Sequence, residues 1–240
     1  MKTIFLTGIS RGIGLGIYSL LKSRYNFVGV TRNKSFFYKS FPEERNNQNL
    51  KILELDFDIR SEEKWNEYIN KITSHINELD IVIDIFINNS GVAHFAPFVE
   101  LGEDVIRNEY FVNTIASTIL MKTILTKMIS QKKGVIINIS SVATKKAFGN
   151  ASVYSASKSA LVGLTNSIRE EVRQHNIKVV NMFLGATDTD IWDENTRTEY
   201  RHRMILPGNI AKIIEQIIEL SHFSDLMIEE ITIKPQLGDL

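Results

Sequence analysis

A phenol and an ammonium stand four residues apart in the stretch YSASK, residues 154–158, with only small side chains between them. On a helix, positions i and i+4 are neighbours, so Tyr154 and Lys158 would share one face. A core would favour an apolar partner for the tyrosine, and a surface salt bridge would favour an acid for the lysine. A free phenol ionises near pH ~10, too high for ready proton exchange at neutral pH. A cation within about 4–6 Å favours the phenolate and lowers that value by roughly 1–3 units. The pair therefore reads as an acid/base couple in which Lys158 acts on the acidity of Tyr154. In an arbitrary Tyr-x-x-x-Lys the two would be a half-buried aromatic and a solvated lysine, so the rest of the chain decides.

A second cluster is the turn TGISRGIG, residues 7–14, with Gly8, Gly12 and Gly14 followed by Gly16. It falls between an apolar, β-branched run and a helical pattern. Missing side chains let main-chain N–H groups approach a phosphate at a helix N-terminus. Gly16 lies one turn inside the helix, where a small residue would let helix and sheet approach. A glycine trio alone can be an empty turn; in this setting a dinucleotide site is the better reading.

The elements that must position these groups alternate. Short strand-like runs fall at 3–7, 27–31, 50–55, 84–88, 134–140, 177–183 and 229–234. Helical patterns fall at 12–24, 61–76, 102–133 and 152–174, and another opens at Pro207. Continuous apolar strands alternating with helices predict an α/β fold. Its form is a doubly wound, Rossmann-type parallel sheet of about seven strands, with helices on both faces, in a single domain over 1–240. The polar stretch 33–49, with Pro42, reads as a connection. The stretch 187–206 is polar with isolated Trp192 and Tyr200, which suits a mobile lid or substrate loop.

With the elements in this order, TGISRGIG resembles the cofactor turn of the short-chain dehydrogenase/reductase family, with the 3-oxoacyl reductases as its nearest type. Three further signatures follow in family order. NNSG at 88–91 resembles the family's N-N-A-G, Tyr154 and Lys158 match its catalytic pair, and Ser141 lies thirteen residues before Tyr154, as its catalytic serine does. Asn113 in FVNT matches the family's helical asparagine. Ser140 competes with Ser141, but only Ser141 has the family spacing. Asn88 and Asn89 suit a simple turn as well, although Gly91 and the strand ahead favour cofactor contact.

The resemblance implies roles. Tyr154 is the general acid when a carbonyl is reduced and the base in reverse; Ser141 bonds the substrate oxygen. Lys158 also bonds the nicotinamide ribose, and Asn113 holds a water linking Lys158 to solvent. It implies cofactor contacts from Gly8, Ser10, Arg11, Gly12, Ile13 and Gly14, and from Asn89, Ser90 and Gly91. Tyr154, Lys158, Gly185, Thr187 and Thr189 complete that set. DFDI at 56–59 resembles the adenine-contacting Asp-Val step; Asp58 with Ile59 is favoured, and Asp56 is nearly as good. Where the family often has Pro-Gly after the sixth strand, this chain has Leu184 before Gly185, which would loosen the start of the 187–206 loop.

An NAD site usually places an acid after the second strand to bond the ribose 2′-OH. This chain has Arg32 there, and Arg11 in the glycine turn. Two guanidinium groups suit a 2′-phosphate, so NADP(H) is the expected cofactor, with NAD(H) the alternative. Solvated surface arginines are the plain reading of each alone. His94 follows the NNSG turn and reads as a surface residue, with pocket lining as the alternative.

Twenty-eight basic residues balance 28 acidic ones, so net charge argues for neither nucleic acid nor an anionic membrane as partner. There is no cysteine, and His75, His94, His175, His202 and His222 show no metal-ligand spacing, which argues against a metal site. No window has the apolar length of a membrane span, and no signal sequence is seen, so the cytoplasm is the expected location. The expected function is reduction of a ketone or aldehyde, or the reverse oxidation, on a small-molecule substrate. Family members pair through helices matching 102–133 and 152–174, which implies a homodimer or homotetramer. Leu161, Leu164 and Ile168 would serve that contact or equally the core. The rival readings are an NAD-dependent alcohol or sugar dehydrogenase and a non-catalytic NADP-binding regulator.

Overall fold

A computed structural model describes residues 1–55 and 62–240. The expected adenine contacts Asp58 and Ile59, and the alternative Asp56, lie outside the described residues. Seven strands form one all-parallel sheet in the order β3-β2-β1-β4-β5-β6-β7. They are β1 (Thr3–Thr7), β2 (Asn26–Thr31), β3 (Leu50–Glu54), β4 (Ile85–Asn88), β5 (Gly134–Ser141), β6 (Ile177–Leu184) and β7 (Glu230–Ile233). The order reverses between β1 and β4. At such a switch point the loops diverge to opposite faces and leave a crevice beyond the carboxyl ends of the strands.

Alternation along each strand feeds two cores. Phe5, Phe86 and Ile136 point to one face, which is covered by α3 (Glu62–Asn77), α5 (Ser117–Gln131) and α6 (Ser152–Val172). Ile4, Leu6, Ile85, Ile87, Ile137 and Ile139 point to the other, under α1 (Gly12–Leu21) and α8 (Pro207–Leu220). Burial on both sides is why these strands are mostly apolar and do not alternate with polar residues. Leu161 is fully buried, and Leu164 and Ile168 pack against the first core.

Several stretches differ from their sequence reading. The 33–49 connection folds into α2 (Lys34–Ser40) and a 3-10 turn at Pro42–Asn46. Asn33 caps α2 by accepting the Ser35 N–H at 2.8 Å. Phe37 and Phe41 pack against Tyr18, which supplies the burial a polar-looking segment concealed. The 102–133 helix is α4 (Glu103–Tyr110), a π-helical turn at Phe111–Ala116, then α5. Gly16 faces α8 and not the sheet: an added Cβ would lie 3.3 Å from the Pro207 carbonyl oxygen.

The 187–206 stretch is a tied segment carrying α7 (Glu194–Tyr200). Thr187 and Ile205 form a β-bridge, and the Ile205 N–H donates to Ala186 at 2.9 Å. Buried Asp188 accepts from Arg197 at 2.5 Å and Arg201 at 2.7 Å. These ties hold the start of the segment without the family's proline. Gly185 suits its place because a Cβ would lie 2.7 Å from Pro235. Among the described residues, no helix is long and apolar enough to cross a membrane.

Candidate active site

The crevice at the switch point is a cleft of about 1450 Å³. Its cofactor end begins at the glycine turn. Gly8 has a φ of +72°, and the N–H groups of Gly8 and Ile9 both donate to the Val30 carbonyl, at 2.9 and 3.2 Å. A Cβ on Gly14 would lie 2.0 Å from the Gly8 oxygen, so only glycine lets α1 start this close to β1. No side chain caps α1, which leaves its first-turn N–H groups for an anion. Gly8, Ser10, Arg11, Gly12, Ile13 and Arg32 line this end, while Gly14 supports the turn from beneath.

The turn after β4 is sewn to β1. The Thr7 hydroxyl accepts the N–H groups of Asn89 and Ser90, both at 2.9 Å, and the Asn89 amide donates to the Thr7 carbonyl at 2.9 Å. Asn89, Ser90 and Gly91 line the cleft, as do Gly185, Thr187 and Thr189 from the far side of the sheet. Asn88 turns inward and donates to Asn138, which donates to Asn181, forming a row of buried amides across β4, β5 and β6.

The chemical end gathers Ser141, Tyr154 and Lys158. Ser141 ends β5, and its Oγ accepts the Ala143 N–H at 3.1 Å. That contact uses a lone pair and leaves the hydroxyl hydrogen free to donate. Tyr154 and Lys158 lie one turn apart on α6, both buried. Lys158 Nζ donates to the Ile139 carbonyl at 3.1 Å. Asn113 does not line the cleft. Its amide, fully buried in the π-helical turn, accepts from the Val92 N–H and donates to Val92 O and Ser157 Oγ, each at 2.9 Å. It binds the β4 loop to α6 and so sets where Gly91 meets Lys158.

The electrostatics run against the expectation that Lys158 lowers the phenol. Burial pushes Tyr154 up to about 12, against a hydrogen bond from Ser141 that pulls it down, and the charge of Glu109 adds to the rise. Burial lowers Lys158 to about 8. Desolvation outweighs the helix spacing. The phenol is held protonated and the ammonium is made a ready proton donor.

Sequence reasoning missed a wall on the substrate side. Phe95 stacks on Trp192, with ring centroids 4.9 Å apart, and meets the Tyr154 ring edge-on at 5.8 Å. His94 beside them is an exposed residue, as expected, and it also lines the cleft. The buried Glu109 behind it was also missed, since a glutamate within RNEYF looks like any solvated helix residue. Of the two serines, Ser141 faces Tyr154, while the Ser140 hydroxyl is buried with no hydrogen-bond partner among the described residues.

An open helix N-terminus and a glycine turn that a Cβ would fill stand at one end of a cleft that runs on to a buried Tyr and Lys. The short-chain dehydrogenase family model matches residues 2–200, and the chain belongs to that family. It is an oxidoreductase of the kind that acts between CH–OH and C=O groups, with a nicotinamide cofactor. Among its relatives is a sepiapterin reductase of Chlorobaculum tepidum, 30% identical over 72% of this chain and 69% of that protein. Another is a 3-oxoacyl-[acyl-carrier-protein] reductase of Aquifex aeolicus, 29% identical over 89% of this chain and 88% of that protein. A metagenomic short-chain oxidoreductase solved in complex with NADP superposes with a TM-score of 0.78 at 25% identity. The match covers 98% of this chain and 97% of that one.

Proposed function

We propose that this protein reduces a ketone or aldehyde at the expense of NADPH, with Ser141, Tyr154 and Lys158 as its acid/base set. The observation that carries the reading is the meeting of these three side chains, from β5 and α6, in the cleft that begins at the glycine turn. When bound, the reduced nicotinamide supplies the hydride. Ser141 turns its hydroxyl hydrogen from Tyr154 to the carbonyl oxygen and stabilises the charge that grows there. Tyr154, protonated at neutral pH, gives that oxygen its proton. Lys158, with its pKa brought down to about 8, stands ready to restore it. The relay water that links Lys158 to solvent is assigned to Asn113, whose side chain is engaged by Val92 and Ser157.

Arg11 and Arg32 border the cofactor end with no acid at the end of β2, which supports NADPH over NADH. The adenine contacts are assigned to Asp58 and Ile59. A single domain over 1–240, a cytoplasmic location and a homodimer or homotetramer through the helices of 102–133 (α4 and α5) and α6 complete the reading. Fluorescence titration of the purified protein with NADPH and NADH tests it first, followed by NADPH oxidation with a carbonyl panel and Tyr154→Phe as the inactive control. Tight NADPH binding with much weaker NADH binding is expected. The reverse preference would move the assignment to NAD-linked alcohol oxidation, and binding of neither would overturn the cofactor site.

A further inference from the structure

Glu109 is fully buried on α4, where a carboxylate is expensive unless it is partnered. Its Oε1 accepts the main-chain N–H of His94 at 2.5 Å and lies 3.1 Å from His94 Nδ1. Its Oε2 has no hydrogen-bond partner among the described residues. Oε1 accepts the main-chain hydrogen on one side, and with Glu109 as a carboxylate the ring Nδ1 carries the hydrogen between them. That turns Nε2 away from Glu109, and whenever the ring carries a single hydrogen Nε2 is an acceptor. The His94 side chain is 47% exposed and lines the cleft. The next residue, Phe95, rests against the Tyr154 ring and stacks on Trp192. One buried carboxylate therefore fixes both the tautomer of a cleft-lining histidine and the backbone that carries the aromatic wall.

Resting on the reductase reading, we propose that His94 determines specificity, its Nε2 accepting a hydrogen bond from a hydroxyl close to the reacting carbonyl. Glu109 is its positioning residue. The substrate class is a hydroxylated ketone or aldehyde with an apolar body. The wall of Phe95 and Trp192 takes the body, and His94 reads the hydroxyl. A histidine that merely closed the turn after β4 would need its main-chain N–H and not its ring.

The test compares paired probes with NADPH: butanone and 3-hydroxybutan-2-one, cyclohexanone and 2-hydroxycyclohexanone, acetophenone and 2-hydroxyacetophenone. In His94→Phe, KM for the hydroxylated member should rise about tenfold, the worth of one hydrogen bond, with kcat within about twofold. The plain ketone should be unchanged. Glu109→Leu, which also frees the backbone carrying Phe95 and removes a charge that acts on Tyr154, should change both members but raise KM for the hydroxylated one more, and Glu109→Gln, which keeps an acceptor oxygen, should largely restore the wild-type value. If Glu109→Leu does not fold, His94→Phe carries the test alone. Equal changes in both members of each pair, or none in either, would overturn the role of His94 and leave the reductase reading standing. Turnover of none of the six carbonyls by the wild-type protein would remove the reductase reading and the inference together.

Discussion

Lys158 Nζ donates to the main-chain oxygen of Ile139 at 3.1 Å, two residues before Ser141 on β5. The contact anchors the cation of α6 to the strand that carries the serine, and it places a charge where water is scarce. Burial lowers the lysine to about 8 from an ordinary value of 10.5. A base whose folded pKa is depressed destabilises the fold while it is charged, and the penalty fades as pH rises from 8 towards 10.5. Lys158→Met is therefore expected to be inactive yet more stable at pH 7, by on the order of 1–3 kcal/mol. The gain should shrink between pH 8 and 10. Thermal melts of both proteins across that range check it; a variant less stable at every pH would contradict it.

Tyr154 carries a second prediction. With its phenol pushed up to about 12, it is an acid ready for reduction throughout the neutral range. The reverse reaction needs the phenolate, whose population rises tenfold per pH unit below that value. Alcohol oxidation should therefore climb steadily from pH 7 to pH 10, while carbonyl reduction stays nearly flat from pH 6 to pH 8. Steady-state rates in both directions check this. Tyr154→Phe should lower kcat by roughly 10²–10⁴ while leaving NADPH binding intact. A flat oxidation profile would argue that the phenol ionises far lower once the site is filled.

How far the sequence could be read follows from which forces left a local trace. Two-sided burial makes β1, β4, β5 and β6 mostly apolar runs, so the sheet was legible. The glycine turn was legible because close approach leaves no room for a Cβ at Gly14. Position 33–49 was not, because a few aromatics, Phe37 among them, do the burying while the rest stays polar. Glu109 left no trace, since burial is a property of what packs against a residue and not of its neighbours in sequence. The same holds for Asp188, which reads as one acid among several until Arg197 and Arg201 close on it. The pairing of Tyr154 with Lys158 was visible in the i, i+4 spacing. The direction of their shifts was not, because desolvation depends on the whole cleft.

Arg32 gives a test of cofactor choice that does not depend on the substrate. It stands just past β2, at the cofactor end of the cleft, and shows no ion pair among the described residues. Arg32→Asp would place there the acid that bonds a ribose 2′-OH and repels a 2′-phosphate. NADPH affinity should fall by about tenfold or more and NADH affinity should hold or rise. Arg11 is expected to matter less, since it lies 3.9 Å from Asp190 and shares its charge with it. Titration of each variant with both cofactors checks the order; unchanged NADPH affinity in Arg32→Asp would remove Arg32 from the site.

Asp188 links the chemistry to the segment above it. The carboxylate is 4% exposed, yet it stays below the ordinary aspartate range. Burial alone would raise it, and the hydrogen bonds from Arg197 and Arg201 outweigh that. The aspartate thus ties the first turn of the segment to α7, while its neighbour Thr187 accepts the Trp192 indole N–H at 3.2 Å. An acid with a depressed folded pKa stabilises above its unfolded pKa and loses that contribution as pH falls through the folded value. The tie should therefore persist at neutral pH and fail only in strong acid. Asp188→Asn removes the charge and keeps the shape, and each charge-assisted bond it weakens is worth roughly 1.5–3 kcal/mol. Tryptic cleavage after Arg197 and Arg201 should then quicken by about tenfold or more, with global stability changed little. Because Trp192 stacks on Phe95, and Phe95 meets Tyr154 edge-on, the same variant should raise KM for the carbonyl substrate more than it lowers kcat. Cleavage at the wild-type rate would mean that the Thr187–Ile205 bridge holds the segment by itself.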